Sequence, residues 1–197
     1  MEKWTTGEFG TSHEGTVGVV LVDGSEPGPV YVDMGSGSYV PSTTHWTIYD
    51  GEFRRPRAAA LRGACSCGWR RTTRYPIDWS TIGDTSLDEA DIDTDPVLTD
   101  WQEHLADVEA RAVPLPEDVQ HLLEALEGRL DKLAYDAPLA ALRIAATLEG
   151  AVQRAGRVAA CIAASEERHS WEHTATALGL TEQHAQSRLR RYGLRSR

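Results

Sequence analysis

The strongest constraint on the fold is the spacing of small residues in the C-terminal stretch SWEHTATALGLTEQHAQSRLRRYG. Ser170 and Thr181 are residue types that cap helix N-termini, and each precedes a helix-compatible run. Gly179, at the end of the first run, suits the positive φ angle of a helix C-terminal turn. Ala175 and Ala185 lie four residues before and six residues after this glycine, so they let two helices cross closely. The spacing therefore predicts a helix-turn-helix.

Three leucines are expected to fill the core that these two helices share: Leu178, Leu180 and Leu189. The same stretch resembles the C-terminal helix-turn-helix of many actinobacterial proteins, whose pattern is related to region 4 of sigma factors. The resemblance extends back through the alanine-rich run PLAALRIAATLEGAVQRAGRVAACIAA and covers about residues 115–193. It implies a module that binds double-stranded DNA, with the second helix entering the major groove by its N-terminal half.

The resemblance also implies which side chains contact DNA. Carried over by position, they are Thr181, Gln183, His184, Ser187, Arg188, Arg190 and Arg191. The arginines are expected to bind phosphates, and the polar residues before them are expected to face bases. Two positions depart from the pattern, because Glu182 stands where a basic residue is common and His173 where an acidic or apolar one is common. A carboxylate at this position repels phosphate, although it can accept a hydrogen bond from cytosine.

Charge is segregated along a chain whose formal net charge is −10. Residues 84–109 contain ten acids and no Lys or Arg, whereas residues 53–74 contain seven arginines and no acid. Local potential decides nucleic-acid binding, so the net acidity does not exclude it. We expect a secondary basic patch, either a second DNA contact or a docking site for an acidic protein, formed by Arg54, Arg55, Arg57, Arg70, Arg71 and Arg74.

The first 80 residues have the composition of short β-strands. The runs TVGVVLV (16–22) and VYVDM (30–34) are β-branched and are separated by turn residues. A third strand is predicted in HWTIYDGEF, where Asp50 and Gly51 are typical of a hairpin turn. The run AAALRGACSCGW is its expected partner, and residues 35–44 are expected to form a loop.

Cys65 and Cys67 indicate a metal site, although this spacing is less diagnostic than two cysteines separated by two residues. Histidines must complete the site, because the third cysteine lies in the C-terminal half. His45 opens the predicted strand and His104 lies on a predicted helix, so the hypothesis is one structural zinc ion bound by His45, Cys65, Cys67 and His104. His13 is the alternative to either histidine. The other interpretation is a pair of reduced, partly buried thiols, and the segment also resembles one that recurs in streptomycete proteins of unknown function.

Apolar spacing predicts three helices between these regions. The first opens at Pro96 and the second near Pro116. Asp136 is predicted to cap the third, over about residues 138–166, whose alanine-rich stripe suits close packing within one chain or across a homodimer. Their inward faces are expected to be Val97, Trp101, Leu105 and Val108 in the first, then Val119, Leu122, Leu123, Leu126 and Leu130 in the second.

These features predict an α+β protein: a small, zinc-stabilised N-terminal β-sheet module, then an α-helical region ending in a helix-turn-helix. The expected domains are 1–95, 96–166 and 167–197. The predicted function is DNA binding in transcriptional regulation; the alternatives are a protein-binding adaptor and, more weakly, a zinc-dependent enzyme. No H-E-x-x-H, P-loop or nucleophile-elbow motif occurs, so we expect no catalytic residues. No apolar run is long enough for a membrane span, and a cytoplasmic location is expected.

Overall fold

The computed structural model describes residues 3–31, 40–83, 85–165 and 170–193. The chain divides into two compact units, Met1–Asp107 and Val108–Arg197. A small sheet occupies the first unit and helices make up the second, which confirms the predicted α+β class. The helix predicted from Pro96 belongs mainly to the unit that contains the sheet, rather than to a separate helical region.

The N-terminal unit is built on an antiparallel sheet with the strand order β1-β4-β5. Its strands are β1 (Gly15–Val20), β4 (Ala60–Cys65) and β5 (Tyr75–Pro76), and a separate ladder joins β2 (Val30–Tyr31) to β3 (Ser42–Thr43). Alternate valines of β1 are buried with Leu61 of β4, as expected for a sheet with one face on the core. The predicted strands at 16–22 and 30–34 are therefore present, although residues 32–34 of the second lie outside the described residues.

The predicted hairpin around Asp50 and Gly51 is wrong in its strands, although the turn itself is present. Gly51 has a φ of +87°, but two short 3₁₀ helices, Trp46–Ile48 and Glu52–Arg54, flank it. A single bridge, Asp50 to Arg57, is the only ladder contact found for this turn in the described part of the chain. The run AAALRGAC pairs with β1 instead, because β1 offers six consecutive partners and buries its own valines in the same core.

Two helices complete the N-terminal part of the chain. Helix α1 (Trp79–Ile82) is one turn long, and helix α2 (Asp95–Glu109) begins one residue before Pro96. The apolar face predicted for α2 is confirmed, because all four of its members are buried: Val97, Trp101, Leu105 and Val108. Trp101 lies so close to β1 that a Cβ at Gly15 would be 2.6 Å from its indole ring, so β1 needs a glycine there.

The second unit begins with two long helices, α3 (Glu117–Asp136) and α4 (Pro138–Ser165), which contact each other. Asp136 is the last residue of α3 and Ala137 follows it, so the prediction that Asp136 caps α4 is wrong. Both helices are described throughout, and within them only Ala160 is buried. The inward face predicted for α3 is therefore not enclosed. None of the helices in the described ranges is both long and apolar enough to cross a membrane.

The chain then forms a helix pair, α5 (Trp171–Ala177) and α6 (Glu182–Arg191). The predicted caps are present, because the backbone N–H of His173 donates to Ser170 Oγ (3.0 Å) and that of His184 to Thr181 Oγ1 (3.4 Å). Gly179 between the helices has a φ of +61°, in the region that favours glycine.

The small core shared by α5 and α6 is largely the predicted one. Ala175, Leu180 and Ala185 form a buried cluster, and Leu189 is buried as well. Leu178, also expected in this core, is partly exposed instead. It lies in the turn immediately after α5, where the chain leaves the helix before Gly179 reverses its direction.

Candidate metal centre and nucleic-acid interface

Four side chains of types that can bind a metal meet at one end of the sheet in the N-terminal unit. His13 ends a 3₁₀ helix (Gly10–His13), Cys65 is the last residue of β4, Cys67 lies in the following turn, and His104 projects from α2. The register of the sheet brings the first two together, because Gly15 at the start of β1 is paired with Cys65. Pairing between two strands distant in sequence therefore brings His13 and Cys65, two of the four side chains, together.

Three of the distances between the donor atoms fall in the range expected for a tetrahedral metal site. All four donors lie within 4.8 Å of one another. His13 Nδ1 is 3.7 Å from Cys65 Sγ, Cys67 Sγ is 3.4 Å from His104 Nε2, and the two imidazole nitrogens are 3.3 Å apart. Ligands placed about 2.0–2.3 Å from a central ion form a tetrahedron with edges of about 3.3–3.8 Å. The cluster therefore has the dimensions needed to hold a metal ion.

Burial makes this cluster costly without an ion. His13, Cys65 and His104 are buried, and Cys67 is half-buried. The facing imidazole nitrogens and thiols have mainly one another as partners, and His13 Nε2 has no hydrogen-bond partner among the described residues. Buried polar groups with poor partners destabilise a fold, whereas a shared cation would engage all four donors.

The surroundings shift the pKa values of the two thiols in opposite directions. Interaction with Cys65, and then with the imidazoles of His104 and His13, lowers the pKa of the Cys67 thiol, although burial opposes that shift. Interaction with Cys67, reinforced by burial, raises the pKa of the Cys65 thiol. Two thiolates side by side repel each other, so without a cation the pair favours a single negative charge. A bound dication would stabilise both thiolates.

A surrounding shell of contacts holds the ligand-bearing segments in place. Trp69 stacks on the His104 ring with centroids 4.4 Å apart, and its backbone N–H lies 3.4 Å from Cys67 Sγ. Ser66, between the two cysteines, donates to backbone oxygens of the segment before His13 and accepts from the N–H of Glu14 (2.9 Å). Such outer contacts orient metal ligands.

The structure brings together three of the four predicted ligands and replaces the fourth. Cys65, Cys67 and His104 meet as expected, but the remaining member is His13 rather than His45. His45 precedes the 3₁₀ helix Trp46–Ile48, and its Nδ1 lies 2.7 Å from Thr47 Oγ1. The reason is topological, because the segment at His45 is not the strand that pairs with β4. His13 was identifiable only as an alternative, since pairing between β1 and β4 is not evident from local sequence.

The predicted DNA-contacting residues lie on or immediately before α6. Five of the seven are exposed: Gln183, Ser187, Arg188, Arg190 and Arg191. The other two, Thr181 and His184, are half-buried, and their side chains lie 2.7 Å apart at the helix cap. Glu182 is exposed beside them. The exposed face of α6 is therefore polar and basic, and Gln183, Ser187, Arg190 and Arg191 lie on the side of the helix away from the buried Ala185 and Leu189. Arg188 lies at the edge of this face and borders a groove that Leu189 and Ala160 also line.

The secondary basic patch is largely neutralised within its own unit. Three of the six predicted arginines form ion pairs: Arg55 with Asp50 (2.7 Å), Arg70 with Glu26 (2.7 Å), and Arg71 with Asp100 (3.0 Å) and Glu103 (2.6 Å). The Arg57 guanidinium lies 4.0 Å from the centre of the Trp79 ring. Only Arg54 and Arg74 of the six are exposed without one of these contacts. These ion pairs with Asp50, Glu26, Asp100 and Glu103 therefore offset much of the positive charge of the predicted patch.

Comparisons with known proteins identify no relative from which the role of either site could be inferred. No family model matches this sequence, and no curated protein or solved structure is significantly similar to it.

Proposed function

We propose that this protein binds double-stranded DNA through α6, as a transcriptional regulator, and that a structural zinc ion stabilises its N-terminal unit. The observation that carries the DNA-binding proposal is the exposed stripe Gln183, Ser187 and Arg190, spaced by four and three residues on a capped helix. Side chains at this spacing share one face of a helix. Opposite them, small residues let α5 cross α6 closely, which leaves the stripe free to enter a major groove.

Charge on α6 supports the same proposal. The helix carries Arg188, Arg190 and Arg191 against a single acid, Glu182, so it has a local net charge of +2 in a chain of −10. Arginines near phosphates release condensed counterions, which supplies affinity that falls as salt rises. Short polar side chains such as those of Gln183 and Ser187 are suited to base edges. The face thus combines groups for both kinds of contact.

The proposal is tested by fluorescence anisotropy with mixed-sequence duplex DNA across a salt series. Replacing Arg188, Arg190 and Arg191 with alanine is expected to weaken binding by about 100-fold or more near 50 mM salt. It is also expected to reduce the slope of log K against log salt by about 2.7, which corresponds to three lost phosphate contacts at about 0.9 each.

The matched control removes three exposed basic residues outside α4 and α6, Arg111, Arg129 and Lys132. This variant has the same net charge as the α6 variant, so it should retain most of the native affinity and slope. Equal losses in both variants would mean that only overall charge matters. Absence of binding by the folded native protein at low salt would favour a protein-binding adaptor instead.

The donor set supports zinc as the metal. Two thiols and two imidazoles are typical ligands of structural zinc, whereas carboxylate and carbonyl oxygens select harder ions. Four protein donors also fill the coordination sphere, so no position remains for a substrate or an activated water. We therefore propose that Cys65, Cys67, His13 and His104 hold zinc to stabilise the fold, and that this zinc is not catalytic. When bound, the ion would cross-link β4, α2 and the segment before β1.

Replacing His13 with alanine tests the ligand set directly. We expect zinc affinity to fall by more than about 100-fold, because losing a ligand costs more than losing an outer partner, which costs about 10–100-fold. Competition with a chromogenic zinc chelator measures this affinity. His45→Ala is the matched control and should bind zinc like the native protein, since His45 lies outside the cluster. A similar loss in both variants would contradict the proposed set.

A further inference from the structure

The helices α3 and α4 carry matching apolar stripes. On α3 the stripe comprises Val119, Leu123, Leu126, Leu130 and Leu133; on α4 it comprises Ala141, Ala145, Leu148, Val152, Ala155, Ala159 and Ile162. Both follow an alternating four-and-three spacing, which averages 3.5 residues. This spacing keeps one face toward a partner in left-handed helical bundles. We call these two stripes together the seam.

The contact between α3 and α4 leaves much of the seam exposed. Val119 and Leu123 of α3 are 39% and 52% exposed, and Val152 and Ile162 of α4 are 51% and 59% exposed. These are heptad positions, which are buried in complete helical bundles. Isolated exposed apolar residues are ordinary, but a contiguous stripe along two helices marks an interaction surface. Two helices alone are therefore half of a bundle.

We propose that a second copy of this chain covers the seam, so that α3 and α4 of two copies form a four-helix bundle. The face that each copy contributes is as long as α3, which has 20 residues and so measures about 30 Å, and two helices wide, about 20 Å. It would bury about 600 Å² per copy and about 1,200 Å² in total, within the lower range of stable interfaces. The alanines of α4 allow close approach between the helices.

Charge favours a second copy as the partner. Helix α3 has six acids and two bases, a net charge of −4, whereas α4 has three arginines and one acid, a net charge of +2. In a two-fold bundle each α3 can lie beside the α4 of the other copy. Opposite charges along neighbouring helices favour such pairing and disfavour pairing of like helices. The surface is thus complementary to itself, as a two-fold interface requires.

The bundle has a consequence that rests on the proposed function. Within each copy the end of α6 packs on α4. The ring of Tyr192, the residue after α6, lies so close to Gly156 of α4 that a Cβ there would be 2.5 Å from ring atoms. A dimer through α4 would therefore carry two copies of α6. The expected DNA site contains two half-sites, and titration well above Kd should give two chains per duplex. If protein shown to be dimeric binds DNA in a different ratio or not at all, the result contradicts the DNA-binding proposal and leaves the bundle intact.

The mass of the full chain without DNA tests the bundle itself. Light scattering after size exclusion, at about 1–100 µM loaded protein, should give about 43 kDa, twice the 21.6 kDa of one chain. The seam variant Val152→Glu/Ile162→Glu should elute as a monomer, because two buried carboxylates would face the partner. The matched control is Thr147→Glu/Cys161→Glu, which places two carboxylates at exposed positions of α4 outside the seam and should remain a dimer.

Each outcome decides the proposal. A native mass of 21.6 kDa throughout this concentration range would overturn it, as would a dimer that survives the seam variant. If the seam variant loses helical circular dichroism beyond that of the control, the milder Val152→Ala/Ile162→Ala variant replaces it. That variant keeps helix propensity and should raise the dimer dissociation constant at least about tenfold. An unchanged constant would also overturn the proposal.

Discussion

Chelating the proposed zinc ion is expected to lower the thermal unfolding midpoint of the N-terminal unit by about 10–20 °C. A ligand present at about 100 times its Kd stabilises the folded state by about 2.7 kcal/mol, and about 1 kcal/mol shifts the midpoint of a domain this size by about 4–8 °C. The reason is structural, because the four donors join segments that are distant in sequence: His13, the Cys65–Cys67 turn and His104. Removal of the ion leaves these buried groups facing one another.

Tryptophan fluorescence reports this unfolding well, because five of the six tryptophans lie in the N-terminal unit. Elemental analysis should give one zinc per native chain and far less for Cys67→Ser. Cys161→Ser is the control, since Cys161 is exposed on α4, and it should keep both its zinc and its midpoint. A midpoint unaffected by chelation, in protein shown to have lost its zinc, would contradict a structural role.

Replacing Ala185 with leucine is expected to reduce DNA affinity by about 10–100-fold. Ala185 is fully buried against Ala175 and Leu180, where α5 crosses α6. Added methylene groups in a packed core cost about 1–3 kcal/mol. This core has few members, so the strain should separate the helices and reduce the fraction of molecules with α6 presented correctly.

Thr176→Leu is the matched control for this substitution, because Thr176 is exposed on α5 and a leucine there meets no packed core. Its DNA affinity in the anisotropy assay should remain within about threefold of native. Circular dichroism at 222 nm checks that α3 and α4 remain helical in both variants. If Ala185→Leu binds DNA like the control, α6 is not the DNA-binding element in its observed packing.

Most helices were predictable because the signals that start, stop and orient them are local. Ser170 and Thr181 cap α5 and α6 as expected, and Gly179 forms the turn between them. The strands were less predictable, since β4 pairs with β1 across 40 to 50 residues rather than with the segment around Asp50. Hairpin turn residues indicate where a chain reverses, but not which strand it then joins.

The candidate metal site also combines residues that local sequence identifies with one that only the strand pairing identifies. Cys65 and Cys67 stand out by their chemistry and proximity, and His104 lies on a strongly periodic helix, so all three were predictable. His13 follows from strand register, which places the segment before β1 beside the end of β4. His45 has the same chemistry as His13 but a different position in the fold, and sequence alone does not distinguish them.

The sequence by itself determined most of the long helices, the crossing of α5 and α6, and the chemical types of side chain in the candidate metal cluster. Caps, small residues and apolar spacing act over a few residues, so their effects can be read locally. The tertiary structure decided that His13 is the fourth member of the candidate metal cluster, that Arg70 and Arg71 are paired with acids, and that the faces of α3 and α4 remain uncovered. These depend on contacts between residues far apart in the chain, because only the assembled packing sets which groups meet and which stay exposed.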